Sequence, residues 1–139
     1  TDIRIASETA NFAIPFVKWA MATGVNQLHY HVGLGVALEM AFTGDSIDAY
    51  RAERLGLVNK VVPDDQLEEA TLEYANRLAA GPTRALGLTK AAVYKGWLKD
   101  LDTTFDYQGT AQTFARMTED WAEGRQAFLE KRAPDYKGR

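Results

Sequence analysis

Phe42-Thr43-Gly44-Asp45-Ser46-Ile47-Asp48-Ala49-Tyr50-Arg51-Ala52-Glu53-Arg54-Leu55-Gly56-Leu57-Val58-Asn59-Lys60-Val61-Val62-Pro63 is the stretch that organises this chain. Thr43-Gly44 ends the helix before it, because glycine accepts the left-handed backbone that helix ends favour. Asp48 is a capping residue, with a carboxylate able to accept the unpaired N–H groups of a first helical turn. Ala49, Ala52 and Leu55 predict the buried side of the short helix that follows, and Gly56 stops it. Leu57, Val58, Val61 and Val62 then form an apolar, β-branched run closed by Pro63, which predicts a strand. The pattern by itself predicts a helix–turn–strand unit and no chemistry.

Upstream, Thr1-Asp2-Ile3-Arg4-Ile5-Ala6 alternates apolar and polar residues. This predicts a strand over Asp2–Ala6 with Ile3 and Ile5 on one face. The alternation is under way at the first residue, without an initiator Met, so the expectation is that Thr1 is not a biological N-terminus. Ser7–Asn11 is small and polar and predicts a turn. Phe12–Pro15 predicts a second extended segment, since Pro15 biases Ile14 away from helix. Leu34–Phe42 predicts a helix with Leu34, Ala37, Leu38 and Ala41 at helical spacing. Gly33 and Gly35 at its start are not a dinucleotide fingerprint, because no strand precedes them and the third glycine is missing.

Downstream of Pro63 the character turns helical. Asp64 or Asp65 is expected to cap a helix carrying Leu67, Ala70, Tyr74 and Leu78 at three- and four-residue steps. Gly81 ends it and Pro82 opens the next helix. There Ala85, Leu88 and Ala92, with Leu86, Val93 and Trp97, predict a wide apolar face. From Thr103, with Asp106 three residues on as a capping signal, one stripe runs through Tyr107, Ala111, Phe114, Thr118, Trp121, Arg125 and Phe128. A single stripe of that kind wants a partner surface, in the same chain or in another.

Bulk properties narrow the classes. The chain has 139 residues, enough for one domain with a core of its own. A formal net charge of −3 gives no basic field for nucleic acid. The absence of cysteine excludes disulfides and thiolate metal sites. No apolar run is long enough to cross a bilayer and no signal peptide is visible, so the expected location is cytoplasmic.

Thr43-Gly44, Ile47, Ala49, Ala52, Gly56-Leu57-Val58-Asn59 and Val61-Val62-Pro63 together resemble a phrase of the crotonase superfamily, the enoyl-CoA hydratase/isomerase family. The end of the chain, Phe128-Leu129-Glu130-Lys131-Arg132, then Pro134 and Tyr136-Lys137-Gly138-Arg139, resembles that family's C-terminal phrase. Leu88-Thr89-Lys90 is a shorter echo. The resemblance implies an α/β fold: residues 1–63 as the last part of a ββα spiral core, and residues 64–139 as a helical C-terminal region. In the family that region packs between subunits, so a homo-oligomer, a trimer or hexamer, is expected. Strand edges at residues 1–63 would then lack partners, and the chain alone is expected to be unstable.

The resemblance further implies an enzyme acting on an acyl-CoA thioester, with no cofactor beyond the coenzyme A of the substrate. In the family, backbone N–H groups hold the thioester oxygen as an enolate develops, and such preorganised donors are often the largest catalytic contribution. Phe16 stands where hydratases of the family carry a catalytic glutamate after the proline. Phenylalanine has no proton to give or take, so plain hydration with two glutamates is disfavoured and an altered active site is expected. The loop Ala22–Leu28 is shorter and poorer in glycine than in relatives, which points to a remodelled acyl pocket. Trp19 and Met21 are candidates for its apolar wall, or else core residues.

Asn26, His29 and His31 are the polar candidates for acid–base work. His29 and His31 share a face only on a strand; on a helix they diverge, and no third metal ligand accompanies them. Phe128 and Lys131 match the family's aromatic and lysine near the adenine and phosphates of coenzyme A; the alternative is a solvated basic end with Phe128 anchoring its helix. A non-catalytic protein that binds a CoA ester, or an oligomer scaffold, is the second expectation.

Overall fold

The computed structural model describes residues 1–19, 28–97 and 101–139, with residues 19, 101–105 and 108 described by their backbone alone. They form two units, Thr1–Leu72 and Glu73–Arg139.

The first unit carries two small β pairings. Strand β1 (Ile5–Ser7) lies parallel to β4 (Lys60–Val62), with Ala6 opposite Val61, and β2 (Asn11–Phe12) lies antiparallel to β3 (Ile47–Asp48). Between them come a 3-10 turn (Pro15–Trp19) and helices α1 (Leu28–Val32), α2 (Leu34–Thr43) and α3 (Ala49–Arg54). Ala6 of β1, Met40 of α2, Ile47 of β3 and Ala52 of α3 meet in the core with Ile14 and Val58 of the connecting segments.

The Phe42–Pro63 stretch folds as its residues predict. Gly44 takes the left-handed conformation, φ 67°, and returns its N–H to the Met40 carbonyl. Asp48 Oδ1 accepts the Arg51 N–H at 2.6 Å, a cap worth about 1 kcal/mol. Ala49 and Ala52 are 0% exposed, which is why only alanine-sized residues fit there. Gly56, φ 79°, reverses the chain, and the N–H groups of Leu57 and Val58 both donate to the Ala52 carbonyl at 2.9 and 3.2 Å. Glu53 Oε1 then accepts the Val61 N–H at 3.0 Å and ties α3 to β4.

Several details differ from the sequence pattern. The first strand is shorter than Asp2–Ala6, and its core-facing residue is Ala6; Ile3 lies exposed on the other side of the alternation. In α2 the buried line is Ala37 and Met40, continued by buried Gly44, whereas Leu34 is 64% exposed and Leu38 is also outside. Asp64 does not cap a helix. Its carboxylate accepts the hydroxyls of Ser7 and Thr9, the latter at 2.8 and 2.9 Å, and closes the β1–β2 turn onto the end of β4. The Ser7 hydroxyl first, and then Thr9, hold its pKa below the usual carboxylate value.

A 3-10 turn (Asp64–Gln66) leads into α4 (Leu67–Ala79). In the second unit α5 (Thr83–Gly96) and α6 (Leu101–Arg116) share a groove lined by Ala85, Leu88 and Ala92 on one side and Ala111 and Ala115 on the other. Small residues at such a seam let helix backbones approach closely. Leu86, Val93 and Trp97, expected on the same apolar face, are exposed. The stripe from Tyr107 to Phe128 is not one helix. It breaks before α7 (Glu119–Glu130), where Thr118 Oγ1 accepts the Trp121 N–H at 3.1 Å and Glu119 and Asp120 fill the first turn. Thr118 therefore interrupts the stripe because it is a cap, not a misplaced polar residue.

Candidate functional site

In the first unit, Phe16 sits in the 3-10 turn that Pro15 opens, and its ring is partly exposed. Trp19 ends the same turn. Met21, Asn26 and the greater part of the Ala22–Leu28 loop lie outside the described residues. His29 and His31 fall on α1 and diverge as helical residues two apart must. The His29 ring lies against Tyr30, centroids 3.9 Å apart. His31 turns to Arg4, whose Nη2 is 3.4 Å from Nδ1. Among the described residues no three His, Asp or Glu side chains gather in a way that could hold a metal ion.

Arg4 was not singled out by the sequence pattern, yet it joins three segments. Its Nε donates to the Leu57 carbonyl, Nη1 donates to the Thr1 carbonyl at 3.0 Å, and Nη2 faces His31. Burial first, and then the Arg4 charge, push the His31 pKa below the usual histidine value. A guanidinium only donates, so in this contact His31 Nδ1 is the acceptor.

In the second unit, Phe128 and Lys131 come together at the C-terminal end of α7. Phe128 is 82% exposed, so it does not anchor the helix; Ala127, 1% exposed, occupies the inner side of that turn. Lys131 adopts φ 56° and is the one described non-glycine residue in the left-handed region. Its N–H returns to the carbonyls of Ala127 and Phe128 and closes the helix. The chain then runs back along α7. Arg132 forks onto Glu123, Nη1 at 2.5 Å and Nη2 at 2.9 Å, and also reaches Glu130 at 2.6 Å. The Asp135 N–H donates to Glu123 at 2.8 Å. The Asp120 carboxylate, in a residue only 3% exposed, accepts the N–H groups of Lys137 at 2.6 Å and Gly138 at 2.8 Å.

These contacts sort the four cations of the tail. Arg132 is neutralised by Glu123 and Glu130, Lys137 by Asp135 and Arg139 by Glu119. Among the described residues Lys131 makes no ion pair, and it follows the exposed Phe128 by three positions. A cation next to exposed aromatic surface is chemistry suited to a phosphate carrying a flat heterocycle. The sequence marked Phe128 and Lys131. It did not mark Asp120, whose signal was its place just after a capping threonine, where an acid also favours the helix N-terminus.

The comparisons with known proteins fit this architecture. The profile of the family described as enoyl-CoA hydratase/isomerase matches residues 1–139, and the chain belongs to that family. It is 37% identical over 134 residues to a short-chain-enoyl-CoA hydratase of Clostridium acetobutylicum, covering 94% of this chain and 51% of that protein. It is 38% identical over 135 residues to the mitochondrial enoyl-CoA hydratase domain-containing protein 3 of Rattus norvegicus, covering 96% and 45%. A solved enoyl-CoA hydratase from Geobacillus kaustophilus superposes with a TM-score of 0.93 at 35% identity, covering 99% of this chain and 54% of that one. One from Bacillus anthracis gives 0.92 at 38% identity, covering 99% and 55%. The fold is accordingly the crotonase-like α/β fold, and the chain spans about half the length of the relatives it matches.

Proposed function

We propose that this chain is part of an acyl-CoA thioester enzyme of the enoyl-CoA hydratase/isomerase type with an altered active site. The observation that carries the reading is the Phe128–Lys131 corner, in a chain that belongs to this family. Lys131 is the tail cation without an ion pair among the described residues, and it follows the exposed Phe128 by three positions. In this reading the ammonium meets a coenzyme A phosphate and Phe128 meets the adenine. The thioester enolate is stabilised by backbone N–H donors, which do not depend on Phe16.

Phe16 at the family's glutamate position removes one acid–base group, so the chemistry falls to other residues, with Asn26, His29 and His31 as candidates and Trp19 and Met21 on the acyl side. Isomerisation, dehydration, hydrolysis or ring cleavage of an acyl-CoA fits this better than two-glutamate hydration. The reading carries a place in fatty acid metabolism, a cytoplasmic location, a trimeric or hexameric assembly and no partner of nucleic acid or membrane. No described helix is long and apolar enough to cross a membrane.

Phe16 also favours a second reading, a crotonase-like protein that binds a CoA ester or serves as an oligomer scaffold without catalysis. Two measurements separate them. Crotonyl-CoA and other enoyl-CoA esters are followed for product by mass spectrometry, and binding is followed by calorimetry, for the wild-type chain and for His29→Ala and His31→Ala. Turnover that falls in a histidine variant while binding persists supports the enzyme. Binding without turnover in every case supports the scaffold, and no binding at all overturns both CoA readings.

A further inference from the structure

Lys131 holds a conformation that its own chemistry disfavours. A non-glycine residue in the left-handed region costs about 1–2 kcal/mol, and this is the one such residue described. What keeps it there lies on one face of α7. Asp120, Glu123, Gly124 and Ala127 fall at three- and four-residue steps, which places them in a row. Asp120 receives two backbone N–H groups of the returning chain and gives its own N–H to the Arg139 carbonyl at 3.1 Å. Glu123 receives the Arg132 fork and the Asp135 N–H. A Cβ on Gly124 would meet the Tyr136 hydroxyl at 3.1 Å, so the aromatic ring lies close over the row. The Arg132 N–H closes the corner on the Ala127 carbonyl at 3.1 Å.

We propose that Asp120 and Glu123 are positioning residues for the Phe128–Lys131 corner: by clamping the returning chain along α7 they hold the Lys131 backbone in its left-handed turn, the turn from which its side chain would reach the phosphate end of a coenzyme A ester. Neither carboxylate touches the ligand. Asp120 works through the backbone N–H groups of Lys137 and Gly138, and Glu123 through the Arg132 side chain and the Asp135 N–H. The clamp rests on the coenzyme A reading above. It goes beyond it in assigning affinity for the nucleotide end to residues five and eight positions before Phe128 in α7.

The test compares two ligands that differ only at that end, coenzyme A and pantetheine, by calorimetry on the full chain. Lys131→Ala is expected to weaken coenzyme A about tenfold, the equivalent of one charged hydrogen bond, and to leave pantetheine unchanged. Asp120→Asn and Glu123→Gln are expected to weaken coenzyme A by about three- to tenfold, again with pantetheine unchanged. If Lys131→Ala loses the discrimination while both clamp variants keep the wild-type ratio, the clamp is overturned and the corner stands. If Lys131→Ala changes nothing, the coenzyme A corner fails and the clamp with it. An equal loss for both ligands in the clamp variants marks damage to the fold and also overturns the assignment. Glu123→Gln keeps the side-chain size and an acceptor oxygen for the Asp135 N–H, so it reports even if Asp120→Asn unfolds.

Discussion

Arg4 and Asn59 hold each other by the backbone: the Arg4 N–H donates to Asn59 Oδ1 and the Asn59 N–H donates to the Arg4 carbonyl, both at 2.8 Å. The asparagine side chain thus extends the β1–β4 ladder by one rung beyond the last strand pair, Ile5 with Lys60. The phrase Gly56-Leu57-Val58-Asn59 has a physical content here. Glycine turns the chain, Val58 fills the core and Asn59 sets the register. Asn59→Ala leaves the Arg4 N–H without its acceptor and is expected to cost about 1 kcal/mol. The measurement is a urea titration, in which the midpoint falls at unchanged slope. Asn59→Asp, which keeps an acceptor for the Arg4 N–H, is expected to lose less.

Gly44→Ala addresses the helix stop. A Cβ there would come 2.9 Å from Lys18 Cε, a flexible chain end that can move, so the left-handed backbone rather than the clash sets the penalty. The expected loss is about 1–2 kcal/mol, read as a lower thermal midpoint. Breaking the exposed Lys18–Asp45 pair, 3.1 Å, is expected to change the midpoint much less, because exposed ion pairs contribute little.

The Glu123 carboxyl gives a pH dependence. The Arg132 fork first, and then the Asp135 N–H, lower its pKa from 4.5 to about 2. A carboxylate with a depressed folded value adds stability that is complete above its unfolded pKa and is lost as pH falls through the folded one. The clamp is therefore expected to hold at pH 5 and to release between about pH 4.5 and 2. The Asp135 amide, which donates to Glu123, should shift in NMR spectra with a midpoint near 2. A midpoint near 4.5, or the same titration in Glu123→Gln, would sink this account of the clamp.

Phe16→Glu restores a titratable group to the 3-10 turn. If the pocket has been remodelled at the Ala22–Leu28 loop as well, the variant is expected to show no gain in crotonyl-CoA hydration over wild type, because a general base must also stand within hydrogen-bond reach of the moving proton. Robust hydration by this one change would mean that Phe16 alone separates the chain from a hydratase.

What could be read in advance divides along a physical line. Turns and caps were legible at Gly44, Asp48 and Gly56, because each rests on local backbone geometry that one residue type supplies. Face assignments were less so. Leu34 and Leu38 have the right spacing for α2, but Ala37, Met40 and Gly44 have it too, and only the packing of Met40 against Ala6, Ile14, Ile47, Ala52 and Val58 separates them. The break at Thr118 was hidden because the same residue serves as a stripe interruption or as a cap, and the periodicity continues across it. Of the candidate site, Phe128 and Lys131 were marked by resemblance, whereas Arg4, Asp64 and Asp120 act through contacts 55, 57 and 17 positions away, which no local pattern encodes.

The parallel pairing of β1 with β4 also has a consequence for synthesis. Ile5 cannot find Lys60 until the intervening chain has left the ribosome, and at about 5–20 residues per second that is a wait of roughly three to ten seconds. During that interval the Ser7 and Thr9 hydroxyls have no Asp64 to meet. The β1–β2 turn is thus left open for as long as it takes to translate its own fastener.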